Sequence, residues 1–174
     1  YIFYGHVTHC LLGQSAAAMG TEDLLDFLER DIQMRLTTKL YVVRGEAGEA
    51  LAAETGETWA PVDRLDAIGK DFAVQSTSYS YSVGDFAAQL EQNGCALAPA
   101  LVLASAAGGR PGEEKPRTLH ISGFAWFRDG VLAGYLGEGA ARGANVLLNQ
   151  VKSGTVDVPL PGGGRAALRL TQSQ

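Results

Sequence analysis

Two adjacent residues, Asp129 and Gly130, split a run of β-forming residues into two arms. Both residue types accept the positive φ that a tight β-turn demands and that most side chains resist. Arg117 to Phe127 and Val131 to Leu136 therefore predict an antiparallel hairpin. Its stretch SGFAWFRDGVLAGYL, Ser122 to Leu136, is crowded with aromatic and aliphatic side chains. Phe124 and Trp126 are expected to pack into the core on one or both faces. The turn is a requirement of shape and carries no chemistry.

Upstream, Phe3 to Leu12 predicts a strand ending at Gly13, and Gln14 to Gly20 a short helix. Thr21 then stands as the N-cap of a helix over TEDLLDFLERD. Glu22 and Asp23 lie in its first turn, and Leu24, Leu25, Phe27 and Leu28 form its apolar stripe. Arg35 to Gly45 predicts a strand with Leu36, Thr38, Leu40 and Val42 on one face. Glu46 to Glu54 is a short helix weakened by Gly48, and Pro61 opens another through Lys70. The polar run Gln75 to Ser82 suggests a boundary between units. Ser82 and Asp85 form a capping-box pair for a helix that closes at Asn93-Gly94.

Cys95 to Ser105 follows as a strand, and Ala106 to Pro116 as an exposed loop. After the first hairpin, Glu138 to Val151 predicts a helix. A second hairpin has arms from Gly154 to Leu160 and from Arg165 to Gln172, with the tip at PGGG. Strands and helices alternate without a strict βαβ rhythm, which predicts an α+β class with helices packed on mixed sheets.

The function classes narrow by exclusion. The chain has 174 residues, 46% hydrophobic and 19% charged, and a net charge of −5 with the signs mixed. Nucleic acid is not the expected partner, because phosphate binding needs clustered Lys and Arg. No apolar run reaches the length of a membrane span. Tyr1 opens directly into a strand-like run, so the chain is expected to be a piece of something longer.

Residue chemistry assigns no catalytic, cofactor-binding or metal residue. His6 and His9, three apart on the predicted strand, point to opposite faces and cannot easily share a metal. GEGAARG has the wrong spacing for a dinucleotide site, and PGGGR lacks the Lys-Ser/Thr of a phosphate loop. Cys10 and Cys95 sit in apolar contexts and form no CxxC, which favours two buried free thiols over a disulfide. One polar cluster remains: Arg30, Asp31 and Arg35, where a helix hands over to a strand. Its plain reading is a helix end, with Arg30 complementing the dipole and Asp31 tying the turn. Its sharper reading is an Arg–Asp network fixing helix to sheet, or a partner contact.

Several strings, taken in order, resemble the Ger(x)C proteins, the C subunits of the nutrient germinant receptors of bacterial spores. They are Tyr4-Gly5-His6, the handover Arg30-Asp31 to Arg35-Leu36, Ser122-Gly123-Phe124-Ala125-Trp126-Phe127, Gly134-Tyr135-Leu136 and Arg142-Gly143. The resemblance implies a non-catalytic lipoprotein subunit on the outer face of the spore inner membrane, acting with membrane-embedded A and B subunits. It implies no cofactor, and an N-terminal lipid anchor that this chain does not contain. It further implies a multi-domain fragment: 1–66 from the family's first domain, 67–136 its middle domain, and 137–174 the start of a third. Two other readings follow from the residues: a soluble module binding a small nutrient between domains, and a hydrolase using Cys10 or a histidine.

Overall fold

The computed structural model describes residues 6–31, 33–53, 61–75, 79–105, 117–151 and 153–171. Its elements run β1 (His9–Gly13), α1 (Gln14–Met19), α2 (Glu22–Arg30), β2 (Lys39–Val43), α3 (Ala47–Ala52), α4 (Pro61–Gln75) and α5 (Val83–Asn93). They continue β3 (Cys95–Ser105), β4 (Arg117–Arg128), β5 (Val131–Leu136), α6 (Glu138–Leu147), β6 (Ser153–Pro159) and β7 (Arg165–Thr171). The expected loop 106–116 lies outside the described residues, as does the start of the strand expected from Phe3.

Strands β1 to β5 form one mixed sheet in sequence order, and β6 pairs with β7 in a separate two-stranded sheet. β1, β2 and β3 are parallel neighbours, joined by helical crossovers, whereas β3, β4 and β5 meander antiparallel. Val42 pairs with Ala100 and Val43 with Leu101, so strands β1 to β5 belong to a single sheet.

Alternation along the strands gives that sheet two apolar faces. On one, Leu12, Leu40, Val42, Ala98, Ala100, Ala125 and Phe127 pack against Ala17 of α1, Leu28 of α2, and Val83 and Phe86 of α5. Phe86 meets Phe127 edge-on, with centroids 4.9 Å apart at 87°, a geometry worth about 0.5–1.5 kcal/mol beyond its buried area. On the other face Tyr41, Val43, Leu101 and Leu119 pack against Ala50 of α3 and Leu65 and Ile68 of α4. A third cluster joins Tyr81, Phe124 and Ala141 of α6.

Local signals behave as the chemistry requires. Asp129 and Gly130 take φ of 50° and 75°, and the hairpin follows. The Ser82 hydroxyl accepts from the Asp85 N–H at 3.1 Å, while the Asp85 carboxylate accepts from the Ser82 N–H at 2.9 Å. Two donors at the helix start are thereby satisfied, and the Val83 and Gly84 N–H groups donate to the Thr38 and Leu36 carbonyls.

Other expectations need correction. Thr21 holds the N-cap position of α2 but makes no capping bond; its hydroxyl donates instead to the Gly130 carbonyl at 2.9 Å. β2 begins at Lys39 rather than Arg35, because residues 33–38 turn: the Met34 N–H donates to Asp31 and the Thr38 N–H to Arg35. β1 begins at His9, with His6 in a turn before it. Trp126 is half-buried, whereas Phe124 and Phe127 are fully buried. Within the polar run 75–82, Tyr81 is buried and its carbonyl accepts from the Leu40 N–H at 3.0 Å.

Candidate functional site

Arg30, Asp31 and Arg35 lie along one corner where α2 ends. The Arg30 guanidinium pairs with Asp26, one helical turn back, at 2.6 Å, so its partner is not Asp31. The Asp31 N–H donates to Phe27, and its carboxylate accepts from the Gln33 N–H at 2.8 Å. Arg35 is exposed, and its carbonyl closes the turn to Thr38. The three side chains do not form one network. They present two guanidinium groups and a turn-bound carboxylate to solvent.

A second polar group is buried beneath α4. His9 and Tyr41, on β1 and β2, stack with centroids 5.9 Å apart. Asp66 of α4 brings a carboxylate oxygen to 3.3 Å from His9 Nε2. That distance suits an ion pair only with the ring protonated, and the geometry is not that of a hydrogen bond. Among the described residues neither His9 Nε2 nor the Tyr41 hydroxyl has a hydrogen-bond partner. Burial lowers the His9 pKa; Asp66 opposes this and Lys39 adds to it. Burial, helped by Asp66, pushes the Tyr41 phenol up to about 12. Both groups are therefore neutral near pH 7 and act as packing with polar tips. Sequence reasoning placed His9 on its strand but had no signal for Asp66, 57 positions away.

The third feature is a groove of about 440 Å³ between α5, the first half of β3, Trp126 of β4 and the chain after α6. Its existence follows from the sheet. β2 pairs with β3 only at Ala100 and Leu101, so α5 lies along the vacant edge, where the Gln89 side chain accepts from the Leu97 N–H at 3.2 Å. The Trp126 indole is supported from β5, where its register partner is Gly134. A Cβ added there would meet Nε1 at 2.8 Å. A glycine at this position thus lets the ring lie close against the sheet, and Arg128 covers the ring at 5.4 Å.

Both cysteines are free thiols. Burial pushes the Cys10 thiol up, which makes it a poorer nucleophile, whereas Cys95, expected to be buried, is exposed at the groove because it stands at the very start of β3. Among the described residues no three His, Cys, Asp or Glu side chains gather as metal ligands. None of the described helices is long and apolar enough to cross a membrane.

Comparison with known proteins adds a family and a fold. The family described as "Spore germination protein N-terminal domain" matches residues 1–103. YfkR of Bacillus subtilis (strain 168), named for spore germination, is 28% identical over 169 residues, 97% of this chain and 42% of YfkR. The crystal structure of the GerBC protein matches with a TM-score of 0.60 at 14% identity, covering 96% of this chain and 45% of that one. At that identity the likeness carries the fold, which is the α+β arrangement expected from the sequence. The chain spans less than half the length of either protein.

Proposed function

The chain belongs to the family of spore germination proteins whose N-terminal domain matches residues 1–103, and on that premise we propose that it is part of a non-catalytic subunit of a spore germinant receptor. In this reading the full-length protein is a lipoprotein on the outer face of the spore inner membrane. It works through contacts with the membrane-embedded A and B subunits. In this reading a further domain begins in residues 137 onward; α6 packs its Ala141 against Phe124 of the five-stranded sheet, so the support comes from β6 and β7, which pair with each other.

The observation that carries the reading is the run of family matches along one chain. The family covers the first 103 residues, and the GerBC-like fold extends over 96% of the chain. Its non-catalytic part is supported by the sites themselves. Cys10 is held as a thiol by burial, and His9 is packed on Tyr41 beneath α4. Neither offers the exposed, activated nucleophile that a hydrolase would use. Arg30, Asp31 and Arg35 are the proposed partner contacts, since they are polar, lie at one corner, and are held by short local bonds rather than by the core.

Deleting the full-length gene from its spore-forming host tests the reading. Heat-resistant spores should form in normal yield but lose their germination response to at least one nutrient. An unchanged response to every nutrient tested would overturn it.

A further inference from the structure

From the lining of the α5–β3 groove we infer a binding site for a neutral, polyhydroxylated small molecule of the saccharide or polyol class. The volume of about 440 Å³ falls within the roughly 300–1,000 Å³ typical of small-ligand sites. Its lining includes the apolar Leu97 and Leu148, and Trp126 contributes an aromatic ring that Arg128 also approaches at 5.4 Å. The lining also carries the carboxamides of Gln89, Gln92, Asn93 and Gln150, of which the Gln92 and Gln150 side chains make no hydrogen bond to another described residue. A carboxamide both donates and accepts, which matches a hydroxyl that does the same. Aromatic and apolar surface matches the C–H faces of a sugar ring.

Charge disfavours the alternatives. Among the described residues the groove lining contains no Lys, Arg or His, and the nearby Arg128 guanidinium is taken up by the Trp126 ring at 5.4 Å. Its one carboxylate, Asp85, is engaged by the Ser82 N–H at 2.9 Å and the Ser82 hydroxyl at 2.7 Å. An ammonium group would have to compete with that capping box. An amino acid needs a partner for each of its two charges, and the described residues of the lining leave neither free. The site stands on this lining alone and does not depend on receptor membership.

Calorimetric titration of the protein with maltose, myo-inositol, L-alanine and inorganic phosphate tests the inference. Saturable millimolar-range binding of maltose or myo-inositol is expected, with none of L-alanine or phosphate. Gln92 is exposed, so Gln92→Ala keeps the fold and should weaken binding about two- to tenfold, as loss of a neutral hydrogen bond does. Trp126→Ala should weaken it at least as much, with circular dichroism confirming that the protein remains folded. No saturable binding of either polyol would overturn the site. So would binding equally strong in the wild type and Gln92→Ala, or binding of L-alanine or phosphate that Gln92→Ala weakens.

Discussion

The Thr21 hydroxyl donates to the Gly130 carbonyl at 2.9 Å, tying the start of α2 to the tip of the β4–β5 hairpin 109 residues away. The Thr21 N–H reaches the same oxygen at 2.9 Å. One turn carbonyl therefore anchors a helix to the far side of the sheet, and Thr21 is 1% exposed.

Thr21→Val keeps the shape and the backbone bond but removes the hydroxyl. The Gly130 carbonyl retains one partner, so the loss should be that of a single neutral hydrogen bond, about 1 kcal/mol. Urea unfolding of the variant against the wild type measures it. An unchanged midpoint would mean that the hydroxyl contributes nothing.

Folding lowers the His9 pKa from its ordinary 6.5. Below that value the unfolded chain takes up a proton that the folded chain resists, so stability rises with pH across the window. The contribution is complete above about pH 6.5 and is lost as pH falls through the depressed folded value. Asp66, Lys39 and Tyr41 are the ionisable groups that face or influence the ring. His9→Gln should flatten this part of the stability profile. Asp66→Asn removes the one interaction that raises the pKa, so the His9 NMR titration should move lower still. A midpoint moving upward would contradict the assignment.

Two glycines should respond in opposite directions. Gly123 has φ of +91°, and an added Cβ would run into the Leu136 carbonyl oxygen of β5. Gly123→Ala should therefore cost at least about 3 kcal/mol, because strain and overlap with backbone act together. Gly48 has nothing within 4 Å of the same position and lies in α3. Gly48→Ala should stabilise by about 0.5–1 kcal/mol through helix propensity. Thermal melts of both variants report the contrast.

Arg35 is exposed and uses only its carbonyl in the fold. Arg35→Ala should leave stability within about 0.5 kcal/mol of the wild type. In the full-length protein, a drop in recovery with the membrane subunits would then report a lost contact. Full recovery would remove Arg35 from the proposed surface.

What the sequence made legible was local. The Asp129-Gly130 turn, the Ser82–Asp85 capping box and the limits of β5 rest on neighbours within a few residues, where steric and hydrogen-bond rules act directly. The parallel order of β1, β2 and β3 depends on pairings such as Val42 with Ala100, which no short window contains. Thr21 carries the composition of a cap, so its bond to Gly130 could not be read from position. Tyr81 was hidden among serines and a threonine, although its ring packs within 6.1 Å of Phe124. Trp126 and the groove arise where β2 leaves half of β3 unpaired, a feature of the assembled sheet. Asp26 and Arg30 are the exception: their pair is local, and its i,i+4 spacing is a plain signal in the sequence.

The most direct test of the receptor reading is recovery of the tagged full-length protein from detergent-solubilised inner membranes of dormant spores. The A and B subunits should co-purify with it in stable proportion. Recovery in the soluble fraction, or from the membrane without either subunit, would contradict the account.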